Sequence, residues 1–156
     1  MSGKQTSTYK RAGSARLDVT ELAEGVKHLV DSIVDGRLDA RADVEKVDPA
    51  FRPVLEGVNR LIDAFMAPFN VTAEYVERIS RGDIPEKITD QYKGDFNEVR
   101  NNLNGLIDAL QGLIDEAARM EKAAARGELD VRADVSKYNG AWATIVQGLN
   151  EWPRAT

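Results

Sequence analysis

Apolar residues in this chain recur at alternating steps of three and four. From Phe96 the steps land on Val99, Leu103, Leu106, Leu110, Leu113, Ala117, Met120 and Ala124, every one apolar. A spacing that averages 3.5 residues is the seam of a helix packed against other helices along its whole length. Starting from Phe51, the same steps give Val54, Val58, Leu61, Phe65, Pro68, Thr72, Tyr75 and Ile79, a softer version of the same register. Val19, Leu22, Val26, Leu29 and Ile33 form a third seam, and Ile145, Leu149 and Trp152 begin a fourth after Trp142. The pattern predicts helices over about residues 18–35, 51–81, 96–126 and 142–152, with polar connectors over 36–50, 82–95 and 127–141.

The breaks repeat as regularly as the helices. Gly36, Gly82 and Gly127 are spaced by 46 and 45 residues, and Phe51, Phe96 and Trp142 by 45 and 46. Asn59, Asn104 and Asn150 keep the same period. Each glycine sits where a helix C-terminus calls for one, and each aromatic opens the next helix. A link of about 14 residues is far longer than the ~2 to 8 of an antiparallel helical hairpin. Extended, it reaches over ~40 Å, enough to run back along one helix and start the next parallel to it. Leu38, Ile84 and Leu129, each two residues past a glycine, are isolated apolar anchors in polar text, and Ile88 is a second anchor in the middle copy. Two parallel helices with narrow seams bury them most simply as a parallel homodimer, four helices to a layer.

Composition narrows the class. The 156 residues are 42% hydrophobic and 30% charged, the balance of an ordered helical protein. A net charge of −5 and 6% aromatics argue against a nucleic-acid surface. There is no cysteine, which removes disulfides, thiolate chemistry and Cys-ligated metals. No apolar run approaches the ~18 to 20 residues that cross a bilayer. The polar, basic residues 1–17 lack the apolar core of a secretion signal and read as a flexible tail.

The unit of helix, glycine, anchored connector and helix, and above all the wording "AEYVERISRGDIPEKITDQYKGDFNEVRNNLN", resembles HAMP domains, the relay modules of bacterial receptors. It is most similar to the tandem HAMP segments of methyl-accepting chemotaxis receptors and hybrid histidine kinases. Residues 19–152 share the likeness, most strongly in the middle unit. By this resemblance Gly36, Gly82 and Gly127 close first helices, and Leu38, Ile84 and Leu129 are first connector anchors. Ile88 is a second anchor; the outer copies offer Ala42 and Ala133 there, or Val44 and Val135 in a slipped register. Pro68 matches a proline of the family's first helix, and Asp95 stands where the family has a glutamate opening the second. The implied fold is all-α: three tandem units at 18–65, 66–110 and 111–156, the last with a shortened second helix, as parallel four-helix coiled-coil bundles of a homodimer. Its core would hold Phe51, Val54, Val58, Leu61, Phe65, Phe96, Val99, Leu103, Leu106, Leu110, Leu113 and Met120.

Candidate chemistry is sparse. His28, the single histidine, sits beside the seam without the acidic or polar flanks of a phospho-accepting histidine. The acidic clusters Asp83 with Glu86, and Asp43 with Glu45 and Asp48, have no partnering histidine or calcium-loop glycine. The two "RAD" triplets, at Arg41 and Arg132, are landmarks of the repeat. No catalytic residue, metal or cofactor is expected. Gly57, Gly105, Gly112 and Gly148 within the helices are read either as softness in a two-state rod or as points of close helix approach. The resemblance implies a cytoplasmic relay, part of a longer receptor, that passes conformational change from an input domain to a kinase-controlling output. A static spacer, and a ligand-binding or enzymatic helical bundle, are the other readings.

Overall fold

The computed structural model describes the backbone of residues 3–151 and the side chains of residues 19–151. The described residues are all-helical: α1 (Gly3–Val34), α2 (Arg52–Ser80), α3 (Phe96–Ala125) and α4 (Gly140–Glu151). Short 3-10 turns at Val44–Lys46 and Val135–Lys137 interrupt the first and third connectors. The helix ends match the apolar pattern within a residue or two, except at the start. There α1 begins at Gly3, so the stretch read as a flexible tail is helical from that residue on. Residues 1–2, the side chains up to residue 18, and residues 152–156 with Trp152 lie outside the described residues.

The chain divides into two compact units, residues 1–70 and 71–156. The first holds α1, its connector and the opening of α2. The second holds both later repeats, with no division near residue 110.

Glycine ends three of the helices in the same way. Gly36, Gly82 and Gly127 have φ of 85°, 80° and 79°, the left-handed region that costs an L-residue ~1–2 kcal/mol. Each glycine N–H donates to the carbonyl three residues back, and the next N–H reaches five residues back. The pairs are Gly36 to Ile33 with Arg37 to Ser32, Gly82 to Ile79 with Asp83 to Arg78, and Gly127 to Ala124 with Glu128 to Ala123, all at 2.9 Å. This doubled bond satisfies helix-end carbonyls and turns the chain back.

The connectors then retrace the helices they leave. In the first unit Glu21, Gly25 and Leu29 of α1 share a groove with Arg41, Ala42, Lys46 and Val47 of the connector and Leu55 of α2. Leu29, Val47 and Leu55 are its buried core. In the second unit Val71, Tyr75 and Arg78 of α2 line a groove with Lys87, Ile88, Thr89 and Tyr92. The third connector gives the direction of travel outright. The Tyr138 hydroxyl donates to Gly112 O at 3.3 Å, Arg119 Nη2 donates to Arg132 O at 3.0 Å, and Asn150 binds Ala133. As α3 advances from 112 to 119, α4 therefore advances from 140 to 150. The two helices are parallel, and Met120, Ala133 and Val146 make the buried core between them, flanked by Leu113, Val135, Tyr138 and Leu149.

Pro68 does not interrupt its helix: it is buried inside α2, which continues past it to Ser80. Proline removes one donor from the ladder, and the helix spans the gap.

Candidate functional site: a connector clamp built three times

The asparagines that mark the repeat grip the connectors. Asn59 Oδ1 accepts from Ala42 N at 2.8 Å while its Nδ2 donates to Ala42 O at 3.0 Å. Asn104 does the same to Ile88, at 2.7 and 3.0 Å, and Asn150 to Ala133, at 2.6 and 2.9 Å. A side-chain amide carries one acceptor and two donors, so it can pair with both groups of one extended residue as a neighbouring strand would. The connector has no sheet partner, and the amide supplies one. Asparagine is a poor helix former, and its place inside α2 and α3 and in the last turn of α4 is explained by this bond.

The residue before the clamped one adds a second tie. Arg41 pairs with Asp63 at 2.8 Å, and Lys87 pairs with Asp108 at 3.1 Å. Arg41 Nη1 also donates to Leu38 O and Ala40 O, and Arg132 Nη1 to Leu129 O and Val131 O. The residue after it caps the 3-10 turn: Asp43 accepts from Glu45 N, and Asp134 from Ser136 N. The "RAD" triplets are thus a carbonyl tie, a clamped residue and a cap. In Asp134 the Ser136 side-chain hydrogen bond, and then the Ser136 backbone N–H, hold the carboxyl below the usual aspartate range. The Arg78 hydrogen bond lowers Asp83 likewise, at the turn that follows Gly82.

The clamp chooses between the two registers of the outer connectors: it falls on Ala42 and Ala133, six residues past their glycines. Ile88 and Ala133 are buried. Of the first anchors, Leu38 and Ile84 are half-buried. Leu129 is 52% exposed, while Val135 and Tyr138, later in that connector, pack against the core. Asp95 is the residue immediately before α3, in a helical conformation, and its side chain makes no capping bond.

The seam is only partly closed within the chain. Leu103 and Met120 are buried, and Val99, Leu106, Leu110 and Leu113 are half-buried. On α2, Val54, Leu61 and Phe65 are 48%, 58% and 59% exposed, while Phe51 and Val58 are half-buried. Apolar side chains at helical spacing, left this open, form a face that a further helix would cover.

Among the described residues no cluster of histidine and carboxylates could hold a metal ion, and His28 is exposed. Among the described residues, no helix is long and apolar enough to cross a membrane.

No solved structure matches the chain. Residues 46–112 match the family model of the HAMP domain. The match takes in the α2 helix, the middle connector with its clamp, and the first half of α3. HAMP domains are signal-transduction linkers of receptors, typically cytoplasmic, and not catalysts.

Proposed function

We propose that this chain, whose residues 46–112 match the HAMP family model, is a tandem array of three such units that relays conformational change between flanking domains. The observation that carries the reading is the repetition of one device. Helix-closing glycine, returning connector and asparagine clamp recur at Gly36–Asn59, Gly82–Asn104 and Gly127–Asn150. The match covers the middle copy, and the outer copies have the same hydrogen bonds.

The half-open faces at Val54 and Leu61 support a parallel homodimer, in which a second copy completes a four-helix layer at each repeat. A helix that ends one unit begins the next, so a change in its packing is felt in both. The relay then needs two packings of similar free energy, which flanking domains bias. The relay glycines and the anchors Leu38, Ile84 and Ile88 would set that balance. On this reading the segment passes change from an input domain to a kinase-controlling output, in the cytoplasm of a bacterial receptor.

The test places the chain between a sensor and a kinase and compares Asn104→Ala with an exposed control such as Glu121→Ala. A relay predicts a changed kinase output with the chain still folded. An unchanged output in a folded chain would make it a static spacer.

A further inference from the structure

Aligned by their glycines and opening aromatics, the three repeats exchange apolar bulk between connector and helix. The clamped connector residue is Ala42, Ile88 or Ala133, and the helix residue four past each opening aromatic is Leu55, Arg100 or Val146. In the outer repeats the connector residue is alanine and the helix residue is the most deeply buried side chain of all, Leu55 at 1% and Val146 at 0% exposure. Ala133 and Val146 share one core cluster, and Ala42 and Leu55 line one groove. In the middle repeat the buried apolar side chain is on the connector, and the helix position is polar. Ile88 is the buried apolar residue, and Arg100 Nε donates to Ile88 O at 3.1 Å.

The clamp gives this exchange its force. Because an asparagine holds the connector backbone to the helix in the same way each time, the gap between them is set before the side chains are chosen. Apolar bulk can fill it from one side only. Isoleucine facing leucine would be overpacked, and alanine facing arginine would leave the arginine's aliphatic stem uncovered. A chain of repeats built on one plan also risks seating a connector on the wrong helix, of a neighbouring repeat or of a second copy. Adjacent repeats here always carry opposite pairs.

We infer that the pairs Ala42–Leu55, Ile88–Arg100 and Ala133–Val146 are a register key, which lets each connector seat on its own helix and rejects that of the next repeat. Specificity of this kind comes as much from the clash with the wrong partner as from the fit with the right one.

The test uses the full chain. Ala133→Ile and Val146→Arg each lower the melting temperature by several degrees, and the double variant, which carries the middle key in the third repeat, recovers at least half of the summed loss. If Val146→Arg alone does not fold, restoration of folding by Ala133→Ile is the expected result. Additive losses, or no restoration, overturn the key. A second double variant, Ile88→Ala with Arg100→Leu, gives all three repeats the same key. It is expected to melt within a few degrees of the wild type, yet to yield more oversized species in size-exclusion light scattering after refolding from guanidinium. Refolding as clean as the wild type's would overturn the inference.

Discussion

Asn104 holds Ile88 by both ends of its side-chain amide, accepting from Ile88 N at 2.7 Å and donating to Ile88 O at 3.0 Å. Truncation to alanine strands Ile88 N and leaves Ile88 O with Arg100 Nε as its donor. Leaving such a group unpaired costs ~1–3 kcal/mol, and in a chain of this size each 1 kcal/mol moves the melting temperature by ~2–4 °C. Asn104→Ala should therefore lower it by several degrees in thermal denaturation followed by circular dichroism. Asn104→Asp should do no better, since its carboxylate loses the donor that faces Ile88 O.

The glycines divide into two groups that respond oppositely to alanine. At Gly82, φ is +80° and nothing lies within 4 Å of an added Cβ, so the cost is purely conformational, ~1–2 kcal/mol. At Gly57, inside α2, nothing lies within 4 Å either and no positive φ is recorded. There alanine should stabilise the helix by up to ~1 kcal/mol. Urea unfolding of the two variants should show midpoints displaced in opposite directions. Within the chain, close packing does not explain Gly57, Gly105 or Gly148, whereas Gly112 has the Tyr138 hydroxyl 3.5 Å from an added Cβ.

Asp134 provides a pH signature. Its carboxyl is held below the ordinary aspartate value by the Ser136 hydroxyl and then the Ser136 N–H. A depressed folded-state pKa contributes stability that is present above the unfolded value and is lost as pH falls through the folded one. The third connector should therefore loosen on acidification below the ordinary aspartate range. Ser136→Ala should bring the Asp134 titration, followed by NMR, upward towards that range; an unmoved titration would show that the cap is not its cause.

Much of this was legible in the chain itself. Glycine at a fixed period and aromatic residues opening each seam placed α2, α3 and α4 to within a residue or two, because helix ends depend on local chemistry. The length of the connectors implied their return path. The clamp was not legible: Asn59, Asn104 and Asn150 were visible as landmarks, but their partners are backbone groups 16 or 17 residues away, and no pattern of side chains names a backbone partner. An asparagine recurring at one period within otherwise good helical text was the available signal. The 3-10 turns were also hidden. The outer connectors carry one residue more than the middle one between the clamped residue and the aromatic, and the turns capped by Asp43 and Asp134 accommodate it. The start of α1 lay beyond the reach of periodicity, since residues 3–17 carry no apolar seam.

The exposed seam supports the most direct measurement. Leu61→Cys and Leu106→Cys, combined in a chain that has no other cysteine, would be oxidised and compared with Glu56→Cys, an exposed position off the seam. In an antiparallel pair at most one of the two positions can meet its own copy. A parallel pair brings both together. The account predicts rapid disulfide formation at both positions and little at the control; cross-linking at only one, or none with a monomer mass in light scattering, would contradict it.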